Sequence, residues 1–231
     1  MPEKNQATQP TGQTTAGILM DIEAILFRPE DPFVFTSGRA SPVYVDCRKI
    51  ISYPRERSRL MDMAVELIGR DIGAGAIDVV AGGETAGIPF AAWIAERLDK
   101  PMIYVRKKPK GFGRNAQIEG AFAEGARILL VEDLATDGGS KLTFVDAIRA
   151  AGGQVAHTFV IFHYGIFPHG IAALRERGIT LHALATWWDA LAVAETRGYL
   201  AGPALAEVRS FLEAPDAWSE KHGRTAVKGE T

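Results

Sequence analysis

The chain has 231 residues and a mass of 25.0 kDa, the size of one ordinary domain or of one domain with a small appendage. Hydrophobic residues make up 47% and charged residues 23%, a balance that allows a buried core. The formal net charge of −2 leaves no global excess of positive charge to hold a polyanion such as DNA, so any phosphate must be bound locally. The single cysteine, Cys47, excludes an intrachain disulfide.

Both ends of the chain are polar. Residues 1–14 are rich in Gln, Thr, Pro and Gly and predict a flexible tail, and residues 216–231 predict a second polar tail. Neither a signal peptide nor an uncharged apolar run of membrane-spanning length is visible. We therefore expect a cytoplasmic protein with no membrane and no nucleic-acid partner. Its one domain is expected at 15–215, with a small hood at about 15–53 and a core at about 54–215.

The N-terminal part predicts two helices separated by short strands. Four apolar residues at helical spacing predict a first helix that ends before Pro29: Ile18, Ile22, Ile25 and Leu26. Residues 33–35 and 43–45 are short β-prone runs. A proline start and an apolar stripe predict the second helix, from Pro54 to about Arg70.

From residue 77 onward, apolar strands alternate with helices. The predicted strands are 77–81, 102–105, 127–131, 155–162 and 179–185. The predicted helices are 88–98, 140–151, 166–177, a stretch around Ala190, and 203–212. Strands that are apolar throughout and separated by helices indicate an α/β fold with a parallel sheet flanked by helices. Ligands of such sheets bind at the carboxyl ends of the strands, so the loops after Ala81, Val105, Val131 and Phe162 are candidate sites.

The segment from Ile128 to Ser140 carries the most specific chemistry. A strand ends in two adjacent acids, Glu132 and Asp133, and a turn with two glycines then opens a helix. Backbone amides of such a turn, together with the helix N-terminus, bind a phosphate dianion. Two carboxylates repel phosphate but suit the vicinal hydroxyls of a sugar. A strand cap and a simple turn explain each feature separately, but their combination predicts a ribose 5-phosphate site.

The segment Val131–Ser140 resembles the phosphoribosyl pyrophosphate (PRPP) signature of type I phosphoribosyltransferases. The resemblance implies that Glu132 and Asp133 bind the ribose hydroxyls and that the following loop holds the 5-phosphate. It also implies magnesium, held mainly by PRPP and near Asp133. The residues of this segment implied to bind PRPP are Glu132, Asp133, Leu134, Ala135, Thr136, Asp137, Gly138, Gly139 and Ser140.

Residues 35–48, FTSGRASPVYVDCR, resemble the N-terminal signature of orotate phosphoribosyltransferases. Ser37 and Gly38 form turns, which expose backbone amides to a base that carries carbonyls and a carboxylate. The resemblance therefore implies that Ser37, Gly38 and Thr136 contact orotate. It also implies transfer of the phosphoribosyl group to orotate in de novo pyrimidine biosynthesis.

The stretch Val105–Gly120 carries five basic residues among glycines and a proline, which is typical of a mobile lid. Cations that close over departing pyrophosphate stabilise the charge growing there. The stretch resembles the family's catalytic loop, so Arg106, Lys107 and Lys110 are implied to bind pyrophosphate. Lys110 and Asp133 are the implied catalytic residues. Because that loop characteristically reaches into a neighbouring subunit, the resemblance also implies a homodimer.

Three departures from the family pattern leave other functions open. Many members have a histidine where this chain has Phe112, and some have a lysine in the loop that here reads Gly83–Pro89. Some members recognise orotate with an arginine that is missing from Phe162–Phe167. The alternatives are a phosphoribosyltransferase for a purine or another base, and a non-catalytic regulator that binds PRPP.

Overall fold

The computed structural model describes residues 10–35, 38–109, 117–136 and 139–223, without the side chains of 139, 140, 168 and 169. The helices are α1 (Thr11–Asp21), α2 (Pro54–Asp71), α3 (Gly87–Leu98), α4 (Gly139–Ala150), α5 (Pro168–Glu176), α6 (Trp187–Thr196), α7 (Gly202–Glu213) and α8 (Pro215–His222). The strands are β1 (Ile25–Phe27), β2 (Phe33–Val34), β3 (Ala40–Ser41), β4 (Val43–Val45), β5 (Val79–Gly83), β6 (Met102–Val105), β7 (Ile118–Glu119), β8 (Arg127–Ala135), β9 (Gln154–His163) and β10 (Thr180–Thr186). Short 3₁₀ helices cover Cys47–Ser52 and Ala74–Ala76.

The chain divides into two compact units, Asp46–Leu184 and a second unit made of Met1–Val45 with Ala185–Thr231. The larger unit is built on a six-stranded sheet in the order β10-β9-β8-β5-β6-β7. Strands β6, β5, β8 and β9 run parallel, and β7 pairs antiparallel with β6. The predicted α/β fold with a parallel sheet flanked by helices is confirmed.

The register of the sheet brings three strand ends together. Gly82 of β5 pairs with Val131 of β8, and Gly83 pairs with Val105 of β6. The loops that follow these strands therefore leave the same edge of the sheet, where parallel sheets bind their ligands.

The core of the larger unit lies between the sheet and α4. Phe144, Val145 and Ile148 of α4 are buried against aliphatic residues of β5, β6 and β8. Helix α3 lies so close to the sheet that a Cβ atom on Gly87 would sit 2.4 Å from the carbonyl oxygen of Val131. Glycine at this position therefore sets the distance between α3 and β8.

The smaller unit joins the N-terminal elements to the last three helices. Helix α1 packs on α6, and the Arg197 guanidinium after α6 bonds to Asp21 at 2.6 Å. A reciprocal capping box of Thr186 and Asp189 starts α6. The Ser219 hydroxyl of α8 donates to the carbonyl of Ala40 in β3 at 2.7 Å.

Two sequence expectations for this unit differ from the structure. The first helix ends at Asp21 rather than before Pro29, because Glu23 takes a left-handed conformation with φ 55° and ends the helical path. Ile25 and Leu26 instead form β1, which pairs antiparallel with β4. Parts of both expected tails are helical, since α1 begins at Thr11 and α8 buries Trp218. Among the described residues, no helix is long and apolar enough to cross a membrane.

Candidate active site

The predicted acid pair lies within β8 rather than after it. The strand continues to Ala135 because β9 pairs alongside it, Leu134 with Phe162 and Ala135 with His163. Glu132 is 8% exposed, whereas Asp133 is less completely covered. The turn before α4 is correspondingly shorter than the sequence predicted, because Leu134 and Ala135 belong to the strand.

The carboxylate of Glu132 is paired with a buried lysine. Lys141 Nζ donates to Glu132 Oε2 at 2.6 Å and to the carbonyl oxygen of Leu134 at 2.7 Å. The Lys141 side chain is 1% exposed. Gly83 makes room for the acid, because a Cβ there would lie 2.8 Å from Glu132 Oε1. Lys141 therefore fixes Oε2, and Gly83 leaves the space that Oε1 occupies.

Burial raises the pKa values of both acids. The pKa of Glu132 is raised mainly by burial, and the Lys141 ammonium works against that rise. The pKa of Asp133 is also raised mainly by burial, and the positive charges of Lys141 and Arg48 work against it. The Lys141 ammonium therefore favours the ionised form of both carboxylates against the effect of burial.

A second ion pair lies at the start of the larger unit. Arg48 binds the Asp46 carboxylate with two nitrogens, at 2.6 and 3.0 Å, and Asp46 also caps the backbone amide of Arg48. The Arg48 bonds lower the pKa of Asp46. Cys47 between them is 1% exposed, and burial raises the pKa of its thiol. Cys47 is therefore a packed thiol rather than a nucleophile.

The loop after β5 is tied to the start of the basic loop after β6. Glu84 Oε2 accepts from the backbone amide of Lys107 at 2.7 Å, and the amide of Glu84 donates to the carbonyl of Val105 at 2.9 Å. The peptide bond between Glu84 and Thr85 is cis. These contacts hold the first residues of the basic loop beside the end of β5.

Arg106 is anchored at the foot of the same loop. Its backbone exchanges hydrogen bonds with Gln117, and its guanidinium lies 3.5 Å from the Glu119 carboxylate. Within the described part of the chain, the buried Nε of Arg106 has no hydrogen-bond partner. A buried donor in this position suits an anionic ligand.

Two aromatic side chains stack directly after the end of β9. Tyr164 is 7% exposed, its ring stacks on Phe167 with centroids 6.2 Å apart, and its amide donates to the Ala135 carbonyl. His163 pairs with Ala135 in the sheet, and burial, followed by the charge of Lys141, lowers its pKa. His163 is therefore predominantly neutral near pH 7.

The structure brings part of the predicted site together. Glu132, Asp133, Leu134 and Ala135 share β8, Thr136 is exposed directly after it, and Gly139 and Ser140 open α4. Arg106 and Lys107 lie at the foot of the basic loop. Ser37, Lys110, Asp137 and Gly138 lie outside the described residues. Gly38 belongs to the smaller unit and has φ 82°.

The sequence reasoning missed two residues, Lys141 and Glu84. Lys141 follows the two glycines and Ser140 in the sequence, where it reads as an ordinary polar residue early in a helix. One signal was available: a lysine in the first turn of a helix opposes the helix dipole, which calls for a compensating partner. Nothing in the sequence marks the contact of Glu84 with Lys107.

Comparisons with known proteins decide the family. Residues 52–168 match the family model described as the phosphoribosyl transferase domain. An orotate phosphoribosyltransferase of Cereibacter sphaeroides (strain KD131) is 63% identical over 207 residues, 89% of each chain. One of Dinoroseobacter shibae is 57% identical over 210 residues, 91% of this chain and 93% of the relative. The chain belongs to the orotate phosphoribosyltransferase family.

A solved structure supports the same family. The crystal structure of orotate phosphoribosyltransferase from Aeropyrum pernix superposes with a TM-score of 0.68 at 33% identity, covering 80% of this chain and 99% of that one. The resemblances predicted from Val131–Ser140 and from residues 35–48 are therefore confirmed at the level of the orotate phosphoribosyltransferase family.

Proposed function

We propose that this protein transfers the 5-phosphoribosyl group from PRPP to orotate, giving orotidine 5′-phosphate and pyrophosphate in de novo pyrimidine biosynthesis. The observation that carries the proposal is the Glu132–Asp133 pair near the end of β8, the strand that leads to the N-terminus of α4, in a member of the orotate phosphoribosyltransferase family. The carboxylates can accept hydrogen bonds from the ribose hydroxyls. The N-terminus of the helix can bind the 5-phosphate of the same ligand.

In the proposed reaction, a ring nitrogen of the ionised base forms a bond to C1 of the ribose as the bond from C1 to the pyrophosphate oxygen breaks. Asp133 and Glu132 accept hydrogen bonds from the ribose hydroxyls and place C1 for attack. Residues Ala135 to Ser140 bind the 5-phosphate. Arg106, Lys107 and Lys110 neutralise the leaving pyrophosphate, and Thr136, Ser37 and Gly38 contact the base.

Magnesium is proposed as the cofactor, held mainly by the PRPP oxygens near Asp133. Among the described residues, no cluster of three or more His, Cys, Asp or Glu side chains is arranged to hold a metal. Magnesium commonly keeps substrate phosphate oxygens and waters as ligands rather than a cage of protein side chains. When bound, the ion supplies positive charge beside the leaving group.

The test is to incubate the purified protein with orotate, PRPP and magnesium, and to follow orotate absorbance together with pyrophosphate release. Turnover that requires all three supports the proposal. Pyrophosphate release with a purine but not with orotate would overturn the base assignment. Tight PRPP binding without turnover on any base would instead favour a regulator.

We also propose a homodimer in which the basic loop of one subunit completes the site of the other. Lys110→Ala and Asp133→Asn variants should each lose about nine-tenths or more of the wild-type activity. Mixing the two allows heterodimers in which one site has both wild-type residues, so about a quarter of the wild-type rate should return. Absence of any recovery, although subunits exchange, would show that Lys110 and Asp133 act in one chain.

A further inference from the structure

Lys141 is buried at a position where the helix dipole disfavours a cation. It lies in the first turn of α4, where the helix dipole repels a cation, and its side chain is only 1% exposed. Lysine is almost never fully buried unless it is paired. Sites where local rules are broken are commonly functional, so a specific role for this ammonium is expected.

The two groups that accept hydrogen bonds from Lys141 belong to the residues just before and just after Asp133. Its Nζ reaches the carboxylate of Glu132 at 2.6 Å and the carbonyl of Leu134 at 2.7 Å, one residue on each side. One ammonium therefore fixes a side chain and a backbone group on opposite sides of Asp133. Because Lys141 belongs to α4, it ties the acid pair to the helix that begins beside the proposed 5-phosphate position.

Stability alone does not account for this arrangement. A buried ion pair is often no more stabilising than apolar residues of similar volume, because both charges must be desolvated. The core cluster of β5, β6, β8 and α4 is aliphatic and aromatic, and Glu132 follows its member Leu130 by two residues on the same face of β8. What the ion pair adds is a fixed orientation of the Glu132 carboxylate, whose ionised form the Lys141 ammonium favours.

We propose that Lys141 is a positioning residue for ribose recognition, which holds Glu132 and the strand around Asp133 in the geometry that binds the ribose hydroxyls of PRPP. This inference rests on the proposed function. The ammonium acts through Glu132 and the backbone of β8. Gly83 supports the same arrangement by leaving space for Glu132 Oε1.

The experiment is a double-mutant cycle on the steady-state kinetics with PRPP. Lys141→Met, Glu132→Gln and the double variant are compared with wild type, and each rate is divided by the folded fraction. We expect each single variant to lose about tenfold or more in kcat/KM for PRPP, and the double variant to lose clearly less than the product of the two single losses. Lys141→Arg, which keeps the charge, should recover part of the loss seen with methionine.

The double variant also guards against misfolding. Lys141→Met alone leaves a buried charge without its partner, whereas the double variant leaves none and should remain folded. Arg127→Met is the matched control, because it breaks the ion pair with Asp78 at the opposite end of β8. Its kcat/KM should equal that of wild type.

The outcomes separate the possible explanations. A lower melting temperature for Lys141→Met with unchanged kcat/KM would overturn the proposal and leave the reaction intact. Additive losses in the cycle would overturn it as well, because Lys141 would then act independently of Glu132. If the protein uses another base, the proposed function fails, yet the same cycle still decides the role of Lys141, since the ribose is shared. Failure of wild-type protein to bind PRPP would overturn both.

Discussion

The Glu84 carboxylate and the backbone amide of Lys107 lie 2.7 Å apart, so the loop after β5 holds the second residue of the basic loop after β6. Glu84 is an acid in a region proposed to receive pyrophosphate. Its negative charge is directed to a backbone donor, which reduces its repulsion toward that ligand. The contact couples the two segments on which the leaving group is expected to lie.

Removing that contact should free the foot of the basic loop. In Glu84→Ala, we expect hydrogen exchange at the Lys107 amide to speed up about tenfold or more, because a bond to a charged acceptor is worth roughly 1.5–3 kcal/mol. Exchange followed by mass spectrometry on peptides that contain Lys107 measures it. Glu119→Gln is the control, since Glu119 contacts the Arg106 side chain instead. Unchanged hydrogen exchange at Lys107 in Glu84→Ala would show that the Glu84 carboxylate does not hold the Lys107 amide.

Close approach of α3 to β8 predicts a steric cost at Gly87. A methyl group there would lie 2.4 Å from the carbonyl oxygen of Val131, which is backbone and cannot rotate away. Gly87→Ala should therefore lower the free energy of unfolding by about 1–3 kcal/mol and displace the neighbouring Glu132 enough to reduce turnover. Urea denaturation and the orotate assay measure the two effects.

Gly69→Ala is the matched control for that variant. Gly69 lies in α2 with no atom within 4 Å of the added methyl group, so alanine should leave stability unchanged or raise it by up to about 1 kcal/mol. If Gly87→Ala and Gly69→Ala changed the free energy of unfolding by the same amount, helix propensity rather than the approach to Val131 would govern both sites.

Two neighbouring histidines predict sensitivity to acid. His157 Nδ1 and His182 Nε2 lie 3.1 Å apart on β9 and β10, and burial lowers both pKa values from the ordinary 6.5. His157 also lowers the pKa of His182, while Asp71 works against that fall. Since the unfolded chain takes up these protons more readily, stability is full above pH 6.5 and falls as the pH drops below it.

Thermal unfolding of the wild-type protein, measured between about pH 7.5 and about pH 5.5, checks the histidine prediction. We expect the Tm to fall by about 2 °C or more over that range. The variant His157→Gln should flatten that dependence, and His157→Gln/His182→Gln should flatten it further. An identical slope in the wild type and the double variant would assign the acid sensitivity to other groups.

The sequence predicted the alternation of the larger unit because its strands are buried on both faces and therefore read as unbroken apolar runs. Helix α2, with its proline start and apolar stripe, was predicted within one residue at its C-terminal end. Ile25 and Leu26 were misassigned because helical spacing does not reveal the left-handed Glu23 that ends α1. The spacing of apolar residues does not reveal a helix end that depends on the backbone conformation of a single residue.

The acid pair was also predictable, but its surroundings were not. Glu132 and Asp133 stand out because carboxylates follow an aliphatic run, whereas the extension of β8 to Ala135 depends on pairing with distant β9. Lys141 reads as an ordinary polar residue early in a helix. Its partner, Glu132, lies nine positions away and on a different element, so only the folded arrangement reveals the pair.

Asp133 provides the most direct test of the ribose site. Its side chain is more accessible than that of Glu132, and in Asp133→Asn the shape is kept while the charge is lost. Since hydrogen bonds to a charged acceptor are worth roughly 1.5–3 kcal/mol each, we expect kcat/KM for PRPP to fall about 10- to 100-fold. The Tm should change little or rise, because burial disfavours the ionised form.

Asp78→Asn, at an exposed ion pair where β5 and β8 begin, should leave kcat/KM unchanged. Wild-type kinetics in Asp133→Asn would exclude this carboxylate from ribose binding, and Glu132 with Lys141 would then have to supply the contact alone.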